Sequence, residues 1–97
     1  MKLHVLNPVA RKREIKTSPA APRLSAFEGK RIGLYWNLKP GGDFALQRAS
    51  ELLKSRYPGV ETKLYTGSIG AANRFTTPDD IKRITAECSA VIGSTAD

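Results

Sequence analysis

Between Arg31 and Gly93 the chain switches period repeatedly, and this alternation limits the available folds more than any other feature. "RIGLYW" (residues 31–36) is a short apolar, aromatic-rich run that fits a buried strand. "NLKPGGD" (37–43) is a loop by composition, and Asp43 is the expected N-cap of a helix. From Phe44 the spacing becomes helical. Phe44, Ala45, Leu46, Ala49, Leu52, Leu53 and Tyr57 share a face, Arg48, Glu51, Lys54 and Ser55 fill the other, and Pro58-Gly59 ends the helix.

"VETKLYT" (60–66) alternates Val60, Thr62 and Leu64 against Glu61, Lys63 and Tyr65, which predicts a strand with one wet side. A glycine-bearing loop occupies 67–77 and contains Ser68, Asn73 and Arg74. Thr77-Pro78-Asp79-Asp80 then opens a second helix: a capping threonine, proline at the first helical position, and acids against the positive helix end. Ile81, Ile84, Thr85 and Cys88 form its expected buried stripe, and "AVIG" (90–93) reads as a short buried third strand.

Strand, helix, strand, helix, strand implies a parallel sheet with right-handed crossovers. A ferredoxin-like sandwich would need antiparallel hairpins, and none of these loops has hairpin chemistry. The expected fold is therefore α/β: a three-layer, partial doubly wound parallel sheet (βαβαβ) with an extended N-terminal arm. The arm is residues 1–25 and the half-domain residues 26–97. Three prolines, Pro8, Pro19 and Pro22, and the lack of any sustained period mark the arm; "LHVL" (3–6) could add an edge strand. A parallel sheet wants both faces covered, so the body looks incomplete towards its C-terminus.

Composition narrows the function classes. A chain of 97 residues holds one small domain. No apolar run approaches the roughly 20 residues of a membrane span, and "MKLHVLNP" lacks a secretory signal's apolar core, so no membrane association is expected and the expected location is the cytoplasm. The net charge of +7 suggests nucleic acid, but residues 1–31 hold eight basic residues against two acidic, and residues 32–97 eight against seven. The excess belongs to the arm. With no aromatic residue interleaved in "RKREIK", nucleic acid is not the expected partner. The single cysteine, Cys88, excludes an internal disulfide and a cysteine-based metal site and reads as a small buried hydrophobe. No cofactor and no metal are expected.

Parallel topology brings the ends of the first and third strands to one rim. Asn37, Lys39, Gly41 and Gly42 lie at the first end, and Gly93, Ser94, Thr95 and Asp97 at the third. If the first strand is central, the crevice falls between these two sets, at the switch point of the sheet. Asn37, Lys39, Gly93, Ser94, Thr95 and Asp97 are accordingly the candidate substrate-binding residues; none is a candidate catalytic group. "KPGGD" resembles a phosphate cradle without the G-x-G-x-x-G or P-loop pattern. His4 has no partner in the sequence, and Ser94 and Thr95 have no histidine beside them to complete a triad. Trp36, Tyr35 and Phe44 are expected in the core.

In order and spacing, "LNP", "APRL", "GKRIGLYWNLKPGGDFAL", "LLKSRYPG" and "AECSAVIGSTAD" resemble the N-terminal part of the UGSC-motif proteins, (seleno)proteins named for a selenocysteine-Gly-Ser-Cys motif whose first position is Cys or selenocysteine. The resemblance covers nearly the whole chain, but the motif itself is absent. It implies thiol or selenol redox chemistry of a reductase-like kind, with the motif's Cys as resolving partner and the reactive atom expected one residue after Asp97. The chain as given is then expected to be an inactive N-terminal portion, cut at a UGA codon and missing its C-terminal half. The alternative is a non-catalytic small subunit whose partner completes a shared active site; homo-oligomerisation is a further route. The nucleotides after the Asp97 codon distinguish truncation from a natural small subunit.

Overall fold

The computed structural model describes residues 1–70 and 75–95. Its elements are β1 (Arg31–Trp36), α1 (Gly42–Arg56), β2 (Glu61–Tyr65), α2 (Pro78–Glu87) and β3 (Ala90–Ser94). The three strands form one parallel sheet in the order β2-β1-β3. The expected βαβαβ arrangement is what the chain adopts, with the first strand central.

Register separates the two faces. Leu34 is paired with Leu64 and Ile92, so these three share one side, and Gly33 is paired with Lys63 and Val91 on the other. Helix α1 covers the first side: Ser50 and Thr62 share a hydroxyl hydrogen bond of 2.7 Å, and Gly42 lies against Trp36 and Ser94. Helix α2 covers the second, where Lys63 and Tyr65 reach Glu87 and the Cys88 thiol meets the Tyr65 hydroxyl. Helices on opposite faces are a consequence of the strand order, because the two crossovers travel in opposite directions across the sheet and share one hand.

The core is small: Ile32, Leu34, Leu46, Val60, Tyr65 and Ile84 are its buried apolar members. One helix per face cannot shelter three strands, and several side chains expected to be buried are exposed. β3 is not a buried strand, since Val91 and Ile92 are 47% and 37% exposed at the sheet edge. On β2 the wet side is inverted at its end: Tyr65 is buried under α2 while Leu64 is exposed. Ile81, expected in the buried stripe of α2, faces solvent, as does Phe44 at the start of α1, while Tyr35 and Trp36 are half-buried.

Residues 1–23 are exposed throughout, and the molecule measures 74 × 31 × 23 Å, as an extended arm requires. "LHVL" forms no strand. The arm joins the body at Phe27, whose ring packs 4.8 Å from that of Tyr57 at the end of α1. Among the described residues no helix is long and apolar enough to cross a membrane.

Candidate functional site

The carboxyl rim is built around the turn from β1 into α1. Asn37 accepts a hydrogen bond from the Lys39 amide at 3.2 Å, and the Trp36 indole donates to the Lys39 carbonyl at 2.7 Å. Leu38 is held at φ 69°, a left-handed conformation that costs a leucine energy and that these two bonds fix in place. Asn37 and Lys39 are thus brought together, but Asn37's oxygen and Lys39's backbone are committed to the turn.

Helix α1 begins earlier than its sequence suggests. Gly41, at φ 99°, is the N-cap and contributes no side-chain bond. Asp43, the expected cap, lies in the first turn and accepts from the Gly41 amide at 3.2 Å. The reason is the next residue: a Cβ on Gly42 would lie 2.8 Å from Ser94 Oγ and 3.1 Å from the Trp36 ring. Only glycine lets the first turn of α1 press against the last residue of β3. Ser94 therefore stands beside an amide-rich helix start, where negative charge is favoured.

Gly93 and Ser94 pair with Tyr35 and Trp36 across the sheet, which joins the first-strand and third-strand sets as the topology requires. Thr95 comes next and is exposed; Asp97 lies outside the described residues, as do Asn73 and Arg74 of the 67–77 loop. A hollow also lies on the other side of β1. A cavity of about 300 Å³ opens between α1 and β2, lined by Leu34, Asp43, Leu46, Gln47, Thr62 and Leu64 among others. No motif announces it, because its residues come from three separate elements.

Two polar clusters support the rim from the α2 side. Asp80, almost fully buried, accepts from the Ser68 hydroxyl at 2.6 Å, the Ser68 amide at 3.1 Å and the Thr77 amide at 2.9 Å, while Thr77 caps the helix by accepting from the Asp80 amide. The Ser68 hydroxyl, followed by the Thr77 amide, holds the Asp80 carboxyl well below the usual carboxylate range. Sequence predicted this capping box in part; the tie to Ser68, twelve residues away, it did not. Beyond the clamp, Ile69 and Phe75 form an antiparallel bridge with both side chains exposed.

The second cluster is a closed chain of donors. The Cys88 thiol donates to the Tyr65 hydroxyl at 3.3 Å, Tyr65 donates to Glu87, and Lys63 pairs with the same Glu87 oxygen at 2.9 Å. Lys63 and Arg83 also lie over the Tyr65 ring, 5.2 and 5.8 Å from its centre. Burial, with the Cys88 and Glu87 contacts, pushes the Tyr65 phenol above its ordinary range, and Tyr65 followed by Lys63 draws Glu87 down. Cys88 is thus half-buried and hydrogen-bonded rather than a plain buried hydrophobe. Among the described residues no group of three or more His, Cys, Asp or Glu is placed to hold a metal ion.

No curated protein and no solved structure matches the chain. A family model does, over residues 4–97, which takes in the arm, the Asn37–Gly42 turn and β3 together; the chain belongs to the UGSC family.

Proposed function

We propose that this chain supplies the scaffold of a thiol- or selenol-dependent, reductase-like redox site. The reactive Cys or selenocysteine of the family motif would be carried by residues beyond β3. The observation that carries the proposal is the contact between Ser94 and Gly42: the exit of β3 opens onto the first turn of α1, a helix start with no side-chain cap. A thiolate or selenolate there would be stabilised by the positive end of the α1 dipole, which lowers the pKa of the group and raises its reactive fraction at neutral pH. Oxidation of that thiolate or selenolate with the thiol of the motif's resolving Cys would form one chalcogen–sulfur bond, pass two electrons to an oxidised substrate and release the single thiol proton. Asn37, Lys39, Gly93, Ser94, Thr95 and Asp97 would frame the substrate. Residues 1–97 alone carry no such group and are expected to be inactive.

The test is the chain continued in frame through the motif, as read from the nucleotides after the Asp97 codon. Iodoacetamide alkylation of the motif's first residue should show a pH midpoint below the ordinary thiol value of about 8.5, and replacing that residue with serine should abolish the fast phase. A frame without Gly-Ser-Cys, or an ordinary midpoint, overturns the proposal. The exposure of Leu64, Val91 and Ile92 also favours a second reading, in which another subunit covers the sheet and completes the site. Co-expression with that subunit should then protect these residues from hydrogen exchange.

A further inference from the structure

We propose that the arm is an exchange strand: Leu3–Leu6 of one copy adds to the open outer edge of β3 in a second copy, reciprocally, so that the chain dimerises. Among the described residues β3 has a strand neighbour on one side only, and from Ser89 to Thr95 it carries no charge and no proline. Those are the devices by which sheet edges are guarded against strand addition. Its apolar side chains, Val91 on one face and Ile92 on the other, are both exposed.

The other edge is guarded. Arg31, Lys54 and Lys63 line the groove along β2, with Glu61 already paired to Arg31 at 3.2 Å, and a basic arm is repelled there.

The arm fits the open edge. Leu3, Val5 and Leu6 are 82–92% exposed, an aliphatic segment with no partner of its own, and Pro8 ends it. Further along, Ala21, Pro22, Leu24 and Phe27 border a groove of about 440 Å³ whose far wall is Ser89, Ala90 and Val91. The arm therefore departs from the very edge that lies open. Two copies related by a two-fold axis would each send an arm out where the other's must arrive, a self-complementary contact. Residues 1–23 are exposed throughout rather than seated on their own sheet, which favours the second copy over the same one as the partner. Backbone bonds would supply the affinity and Leu3, Val5 and Leu6 the apolar cover, as in other strand additions.

Sedimentation of the full chain, with hydrogen exchange at Val91–Thr95, tests this. We expect a concentration-dependent dimer in which the β3 amides exchange at least tenfold more slowly than in the monomer. Leu3→Glu with Val5→Glu should weaken the dimer at least tenfold, and Val91→Lys on the receiving edge should do the same; the arm variant cannot disturb the core, because its residues touch nothing in it. Each copy carries +7, so the dimer should tighten as salt rises from about 0.05 to about 0.5 M. A chain that stays monomeric at high concentration overturns the proposal. So does a dimer indifferent to both variants, one that loosens with salt, or β3 protection within a monomer, which would mean the arm closes on its own body.

Discussion

The two helices begin in opposite ways. Helix α2 is closed by its own residues: Thr77 and Asp80 cap each other, Pro78 needs no donor, and the Asp80 carboxylate takes up the amides of Thr77 and Ser68. Helix α1 starts from a glycine in a left-handed conformation, with no side-chain cap and the end of β3 pressed against it. A helix start whose donors are consumed internally holds the fold together. The start of α1 spends its Gly41 and Gly42 amides on Asp43 and on the Lys39 carbonyl, and packs against the strand exit without a side-chain cap. One helix is thus anchored at its start by hydrogen bonds, the other by a close fit to the sheet.

The largest effect is expected from acid, which acts on the two carboxyl clusters of the α2 side. Asp80 and Glu87 are both held below their ordinary values, so each contributes stability that is present above the ordinary carboxylate range of about 4 and is lost as pH falls through the folded-state values. Hydrogen exchange below that range should open α2 and the Ser68 loop before α1; simultaneous opening would erase the contrast. Tyr65 acts at the other extreme. Its raised value means stability is full below about 10 and declines as pH rises through its folded-state value.

Next comes Gly42→Ala. Overpacking against Ser94 and the Trp36 ring costs about 1–3 kcal/mol, more than the ~1 kcal/mol alanine gains over glycine within a helix. Denaturant titration should show a net loss, partly restored by Ser94→Gly; a stabilised Gly42→Ala would mean the approach of α1 to β3 is loose. The smallest test pairs the two caps. Thr77→Ala should cost about 1 kcal/mol, whereas Asp43→Ala should cost only about 0.3–1 kcal/mol through the helix dipole. Equal losses would remove the distinction between the starts.

Local chemistry explains which features were legible in the sequence. "RIGLYW" gave β1 its bounds, and Thr77-Pro78-Asp79-Asp80 gave α2 its opening, because both depend on neighbours within a few residues. The start of α1 misled because Asp43 is a good cap in isolation. What displaces it is Ser94, some fifty positions later, together with a leucine in an unfavourable conformation at 38. The inside-out end of β2 has a similar cause: Tyr65 is drawn inward by Glu87 and Cys88, and strand alternation cannot foresee them. At the candidate site the sequence located the rim and the central strand's role, through topology, but not the cavity beside α1.

Gly33, at the middle of the central strand, leaves the space that Cys88 occupies; a Cβ there would stand 3.2 Å from the sulfur. That recess fixes the only thiol of residues 1–97 below the start of β3. From Cys88 to Ser94 an extended backbone spans about 20 Å, while a disulfide requires Cα atoms within about 7 Å. A reactive group at the exit of β3, as proposed above, would therefore lie beyond disulfide reach of Cys88, which sits at the end of α2.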